Sequence, residues 1–107
     1  MAALLELKDP TLFREACYIN GKWVGADSNQ TIDVSNPASG ELLGTIPKMG
    51  ADETRQAIEA ANAAYPAWRA KTAKERASIL RKWFDLMMEN QEDLARMMTA
   101  EQGKPLK

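Results

Sequence analysis

The sequence predicts an α/β chain in which a β-hairpin and further short strands precede two or three amphipathic helices. Three observations support this. Asn20-Gly21 lies between β-forming residues, Thr72 and Glu75 have the spacing of a helix start, and apolar residues recur after them at helical intervals. Considered by itself, the chain is α+β, because its strands come first and its helices afterwards.

The strands are predicted by turn residues between short β-forming runs. Asn20-Gly21 favours a type I′ turn, so the chain should form a hairpin there. Thr31–Val34 alternates like a strand, and the Pro and Gly residues of Asn36–Gly40 predict another turn. Glu41–Pro47 then supplies a further short strand.

The first long helix is expected after Gly50, with Asp52 or a neighbour as its N-cap. Pro66 lacks an N–H group, which predicts that the helix ends or kinks near Tyr65. One face is small or aromatic and is expected to pack against a sheet or another helix: Ile58, Ala61, Tyr65 and Trp68.

A second helical region begins at the Thr72-x-x-Glu75 capping box. Asn90 interrupts its apolar pattern, and Gly103 followed by Pro105 predicts its end, so we expect two consecutive helices or one long bent helix. Its apolar stripe is expected to lie against a core and comprises Ile79, Leu80, Trp83, Phe84, Met87 and Met88, followed by Leu94, Met97 and Met98.

Composition excludes several classes of function. The 107 residues include 14 basic and 15 acidic side chains, so no charge pattern indicates nucleic acid or an anionic membrane as a partner. No apolar run approaches the ~18 residues of a transmembrane helix, and we expect a soluble cytoplasmic protein. The absence of histidine excludes Ser/His/Asp, Cys/His and typical zinc sites within the chain.

Few residues are suited to chemistry. Cys17 is the only cysteine, and its place in a predicted strand favours a structural role. Gly40 and Gly44 lack the spacing of a dinucleotide or phosphate loop. The tryptophans could anchor an interface, but core packing is the simpler interpretation for Trp23, Trp68 and Trp83. No catalytic or cofactor-binding residue is therefore predicted here.

Six blocks of sequence occur in an order typical of a known family. They are Ile19–Trp23, Asn36–Glu41, Ile46-Pro47, the alanine-rich helix ending at Trp68, the set Arg76, Leu80 and Trp83, and Glu101–Pro105. From about Leu12 to Lys107 the chain resembles the N-terminus of the aldehyde dehydrogenase superfamily. The run from Met49 to Met88 is most similar to bacterial NADP-preferring succinate-semialdehyde dehydrogenases.

The resemblance implies a longer, homo-oligomeric enzyme that uses NADP or NAD to oxidise a small aldehyde. In that family a cysteine attacks the aldehyde, hydride passes to the cofactor, and a glutamate activates the water that releases the acid. Those groups lie downstream of the matching segment. We therefore expect residues 1–107 to be the N-terminal portion of an incomplete cofactor-binding domain, inactive alone, with exposed apolar surface.

The resemblance also implies one metal site. Some members hold a monovalent cation between backbone carbonyls before the Asn-Pro turn and an acidic side chain near the Gly-Lys-Pro motif. The matching positions are Val34 or Ser35 and Glu101. Oxygen ligands suit a hard cation. The alternative is that Glu101 is a solvated residue near a helix end.

A different class of function fits the helices equally well. The chain could be a free-standing interaction module that binds a partner through Trp83, Phe84, Met87 and Met88. That interpretation does not account for the order of the six blocks.

Overall fold

Two antiparallel hairpins precede three helices in the computed structural model, which describes residues 5–106. A 3-10 turn at Pro10–Leu12 comes first. The strands are β1 (Cys17–Ile19), β2 (Lys22–Val24), β3 (Thr31–Ser35) and β4 (Leu42–Pro47), and the helices are α1 (Ala51–Ala70), α2 (Ala73–Glu89) and α3 (Gln91–Gln102). This order confirms the predicted fold class.

The first hairpin has the turn that its sequence predicts. Asn20 has a φ of 52° and Gly21 a φ of 76°, and positive φ at both central residues defines a type I′ turn. The turn pairs Tyr18 with Trp23 across β1 and β2, and their ring centroids lie 5.1 Å apart.

The second hairpin pairs β3 with β4, from Thr31 opposite Pro47 to Ser35 opposite Leu42. The register shifts between Val34 and Ser35, which marks a β-bulge just before the connecting turn. The two hairpins form separate two-stranded sheets.

Helix α1 begins after Gly50, so Gly50 rather than Asp52 is its N-cap. The carboxylate of Glu53 accepts a hydrogen bond from the Gly50 N–H at 3.4 Å. An end of the helix near Tyr65 is wrong, because α1 continues through Pro66 to Ala70. Asn62, four residues before the proline, is exposed, so water can satisfy the carbonyl that has lost its intrahelical donor.

Helices α2 and α3 are two helices rather than one bent helix. The Thr72 Oγ1 accepts from the Glu75 N–H at 3.1 Å, and the Thr72 N–H donates to the Glu75 carboxylate at 2.8 Å, which confirms the capping box. Asn90 ends α2 and precedes α3. Gly103 ends α3 with a φ of 83°, as the Gly-Pro signal predicts.

Large parts of the helical apolar faces are uncovered within the described residues, although Trp68, Leu94 and Met97 are half-buried. The α2 stripe from Ile79 to Met88 is between 42% and 61% exposed, so its predicted packing against a core is wrong for this chain. The same correction applies to Ile58, Tyr65, Trp23 and Met98. Periodicity shows that a face needs a cover, but it does not show that the cover belongs to the same stretch of chain.

The radius of gyration agrees with the exposure of the helix faces. The radius of gyration is 16.6 Å, whereas a compact domain of this length has about 13 Å. The buried apolar side chains among the described residues are Leu5, Ala26 and Leu43. Leu5 belongs to the N-terminal segment, Ala26 follows β2, and Leu43 lies in β4, so none of these three buried residues comes from a helix.

Candidate functional site

A groove of about 370 Å³ lies between the β3–β4 turn and the C-terminal half of α3. We call it the turn groove. It is lined by Leu5 and Glu6, by Asn36 and Ala38 of the turn, by Arg96, Thr99 and Ala100 of α3, and by Gly103 and Leu106 beyond the helix. The turn groove therefore joins three segments that are distant in sequence.

Asn36 organises the turn side of this groove. Its Oδ1 accepts hydrogen bonds from the N–H groups of Ala38 at 2.9 Å and Ser39 at 3.3 Å. Its backbone carbonyl accepts from the Gly40 N–H at 2.7 Å, and its own N–H donates to the Glu41 carbonyl. These bonds fix the loop as an Asx turn, in which the asparagine side chain replaces backbone partners.

The two proposed cation-binding segments adjoin the turn groove, although Val34, Ser35 and Glu101 are not among the residues that line it. Ser35 is the last residue of β3 and directly precedes Asn36, while Glu101 is in the last turn of α3, two residues before Gly103. A Cβ placed on Gly103 would lie 3.3 Å from the Cγ of Pro37, so the turn and the helix end are in close contact.

The side chains at the predicted metal positions are open to solvent. Both Ser35 and Glu101 are exposed, and Val34 is half-buried beside the bulge. Within residues 5–106 no group of three or more His, Cys, Asp or Glu residues could hold a metal ion. A cation at this position would therefore depend on backbone carbonyls together with the single Glu101 carboxylate.

The helix N-termini do not suit a nucleotide phosphate. A phosphate site uses free N–H groups and the positive end of the helix dipole, whereas carboxylates already occupy the first turn of each helix in the described part of the chain. They are Asp52 and Glu53 in α1, Glu75 in α2, and Glu92 and Asp93 in α3. The negative charge at these positions disfavours a phosphate at the helix starts, and we assign the chain no step of cofactor chemistry.

Asp93 is the most informative residue that the sequence did not single out. It is only 4% exposed, and its two carboxylate oxygens accept from the N–H groups of Lys8 and Asp9, each at 2.9 Å. These two bonds, the first of them the larger contribution, lower the pKa of Asp93 below its ordinary value. An acidic residue at this helix position predicts local capping, and no sequence signal identifies a partner more than 80 residues away.

A second, more apolar groove of about 340 Å³ follows α2 and α3. We call it the methionine groove, and it includes Met87, Met88, Leu94, Met98 and Leu106. Met87, Met88 and Met98 are each at least 42% exposed. Cys17 lies away from both grooves, half-buried in β1, in accord with a structural role.

Comparison with protein families gives a direct match. The model described as "Aldehyde dehydrogenase family" matches residues 23–107. A glutarate-semialdehyde dehydrogenase of Pseudomonas aeruginosa is 68% identical over 102 residues, which are 95% of this chain and 21% of that protein. Succinate-semialdehyde dehydrogenase [NADP(+)] GabD of Escherichia coli K12 is 66% identical over the same length and share of each chain.

Solved structures agree. The structure described as an E. coli NADP dependent enzyme superposes with a TM-score of 0.91 at 66% identity, covering 94% of this chain and 21% of that one. A succinate-semialdehyde dehydrogenase from Burkholderia pseudomallei gives a TM-score of 0.90 at 62% identity, with the same coverage. The chain thus spans about one-fifth of the length of these relatives. No helix among residues 5–106 has the length and apolar character needed to cross a bilayer.

Proposed function

Because this chain belongs to the aldehyde dehydrogenase family, we propose that it is the N-terminal part of an NAD(P)-dependent enzyme that oxidises succinic semialdehyde to succinate. The observation that supports this best is the 66% identity to the E. coli NADP(+) enzyme across almost the whole chain. In the proposal, the reaction passes through a thiohemiacetal on a cysteine outside residues 1–107, so the isolated chain is inactive.

The contribution of this segment is structural. The apolar stripe of α2 from Ile79 to Met88, which we call the α2 face, exposes large apolar side chains, and so does the methionine groove. A soluble protein normally covers such side chains. In the proposal, the remainder of the enzyme covers them, and the segment forms one edge of the cofactor-binding domain. The carboxylates at its helix N-termini support the view that the cofactor is held elsewhere.

The substrate class follows from the relatives rather than from a pocket in this chain. Two relatives named for glutarate semialdehyde are 67% and 68% identical, and a relative named for succinate semialdehyde is 66% identical. Both aldehydes carry a carboxylate at the far end and differ by one methylene. We therefore propose a semialdehyde of a short dicarboxylic acid as substrate, with NADP as the preferred cofactor.

We also propose the cation site that the family resemblance implies. A monovalent cation would be held by the Val34 or Ser35 carbonyl and by Glu101. Two observations support it: the bulge interrupts the strand ladder at Val34 and Ser35, and Pro37 lies against Gly103, so the β3–β4 turn contacts the chain just after Glu101. The cytoplasmic location and the homo-oligomeric state of the enzyme are further parts of the proposal.

One observation favours the second candidate function. The exposed face around Trp83 and Phe84 would also suit a free-standing interaction module. The module predicts that this face binds a separate partner, whereas the dehydrogenase proposal predicts that the rest of the same polypeptide covers it.

The experiment that tests the proposal is a chimera. This chain replaces the matching segment of the E. coli enzyme, and the purified chimera is assayed with NADP+ and succinic semialdehyde. We expect a soluble enzyme that produces NADPH, and no NADPH from the 107-residue chain alone. A second chimera carries Trp83→Gln and Met87→Gln in the apolar stripe of α2. These substitutions should reduce the yield of soluble, active enzyme. A chimera that is insoluble or inactive, or turnover by the isolated chain, would contradict the proposal.

A further inference from the structure

The N-terminal segment from Leu5 to Asp9 is joined to the first turn of α3 by two parallel hydrogen bonds. The Lys8 N–H donates to one oxygen of Asp93 and the Asp9 N–H to the other, both at 2.9 Å. One carboxylate thus binds two consecutive backbone amides, which fixes both the position and the direction of the segment. Charge-assisted bonds of this kind are stronger than neutral ones.

A second contact lies at the other end of the segment. Leu5 is 2% exposed, and it lines the turn groove together with Asn36, Thr99 and Ala100. Leu5 is among the few fully buried apolar residues of the described chain. The segment is therefore held by one apolar anchor and one polar anchor, on either side of Glu6 and Leu7.

Asp93 makes these two hydrogen bonds instead of capping the N-terminus of its own helix, α3. It occupies the third position of α3, where an acidic side chain commonly accepts from the N-cap N–H group. Asn90, the N-cap, makes no side-chain capping bond either. The first turn of α3 thus lacks both usual side-chain caps, and the buried carboxylate is directed at the N-terminal segment instead.

We propose that residues 5–9 form a strap that docks as a unit through Leu5 and Asp93 and so fixes α3 against the β3–β4 turn. The Asp93 carboxylate recognises two consecutive backbone N–H groups, those of Lys8 and Asp9, and a leucine lies three residues before the first of them. The occupant is this chain's own N-terminal segment. The inference concerns the conformation of the chain and does not depend on catalytic activity.

Amide hydrogen exchange of the full chain tests the strap. In Asp93→Ala, exchange at Lys8 and Asp9 should accelerate at least about tenfold, because two charge-assisted bonds are lost. Exchange within the β1–β2 hairpin, which forms a separate sheet, should stay within about twofold, which shows that the variant is folded. Glu92→Gln is the matched control, since Glu92 is the neighbouring acid, is exposed and pairs with Arg96, and it should leave the Lys8 and Asp9 amides unchanged.

A second variant separates a docked strap from two isolated hydrogen bonds. Leu5→Ala removes the apolar anchor and leaves both Asp93 bonds possible. If the strap docks as a unit, exchange at Lys8 and Asp9 should again accelerate by at least about threefold. Unchanged exchange at these two amides in a folded Leu5→Ala chain would overturn the proposal, as would unchanged exchange in a folded Asp93→Ala chain. Leu5→Ala also provides the decisive result if Asp93→Ala does not fold.

Discussion

Gly103 lies so close to Pro37 that a Cβ on the glycine would be 3.3 Å from the proline Cγ. This contact joins the end of α3 to the turn between β3 and β4, 66 residues earlier in the chain. Gly103 also has a φ of 83°, a backbone conformation that residues with a Cβ rarely adopt. The glycine is therefore needed both for its conformation and for the space that it leaves.

Gly103→Ala should lower the free energy of unfolding by more than the conformational penalty of a positive φ alone. Gly40→Ala is the matched control, because Gly40 has a φ of 76° but nothing within 4 Å of an added Cβ. We expect Gly40→Ala to lower the free energy of unfolding by about 1 kcal/mol and Gly103→Ala to lower it further. Urea denaturation at a chain concentration low enough to prevent self-association measures both.

Combining Gly103→Ala with Pro37→Ala tests whether the contact with Pro37 causes the additional loss of unfolding free energy in Gly103→Ala. Removing the proline ring should recover part of the loss, and Pro37→Ala alone provides the reference for a double-mutant cycle. Equal losses in the Gly103 and Gly40 variants would show that the contact with Pro37 has no energetic effect.

The exposed α2 face should make the isolated chain self-associate. Trp83 is 61% and Met87 42% exposed, and both belong to the stripe that the described residues leave uncovered. We expect the 107-residue chain to bind a hydrophobic dye and to sediment as concentration-dependent oligomers. Trp83→Gln with Met87→Gln should reduce both effects.

The control for this prediction is Lys82→Gln with Glu89→Gln, which changes two polar positions of the same helix. These substitutions should leave dye binding and sedimentation unchanged. A wild-type chain that is monomeric, unfolds cooperatively and binds no dye would show that the face needs no cover.

Glu15 should titrate below the usual range for a glutamate. Its Oε2 accepts from the Thr45 N–H at 2.8 Å and from the Thr45 Oγ1 at 3.1 Å, and these bonds, the backbone bond first, lower the pKa of Glu15. Since folding lowers this pKa, the resulting stabilisation is fully present above the unfolded pKa of about 4.3. It is lost as pH falls through the lower pKa of the folded state.

The titration of the Glu15 carboxyl carbon, followed by NMR, measures this pKa directly. Thr45→Val keeps the backbone N–H and removes the hydroxyl, so the pKa of Glu15 should move part of the way back toward its ordinary value. In Glu15→Gln, the loss of stability between pH 7 and pH 3 should be smaller than in wild type. A wild-type Glu15 pKa at or above the ordinary value would contradict the structure.

The proposed cation site predicts a specific salt effect. If Glu101 and the carbonyl of Val34 or Ser35 hold a monovalent cation, sodium or potassium chloride should raise the melting temperature more than choline chloride at equal ionic strength. Glu101→Gln should abolish the difference. Glu41→Gln changes another exposed acid near the turn and is the control. Equal melting temperatures in the three salts for the wild-type chain would argue against the site.

Local signals in the sequence predicted most of the elements. Asn20-Gly21, Thr72 with Glu75, and Gly103 each determine backbone geometry within a few residues, and the structure has all three as predicted. Of the two outcomes that Pro66 predicted, the end of the helix near Tyr65 is wrong, because an exposed helix can pass through a proline when solvent takes the free carbonyl.

Relationships between distant residues were not predictable in the same way. The sequence identified the turn at Asn36 and the end of the helix at Gly103 separately, but nothing in either segment shows that Pro37 contacts Gly103. Asp93 likewise has the pattern of a local cap, and only the fold shows that it binds Lys8 and Asp9. The metal positions Ser35 and Glu101 came from a family resemblance, since a site built from carbonyls has no sequence signature.

The most direct test of the central claim is the intact mass of this protein purified from its native organism with an antibody against residues 1–107. The dehydrogenase proposal predicts a polypeptide several times heavier than the 11.9 kDa of this chain, since the relatives it matches are about five times as long. Such a mass would show that the polypeptide has further residues that can cover the apolar α2 face. A native protein of 11.9 kDa would contradict the proposal and would favour the free-standing interaction module.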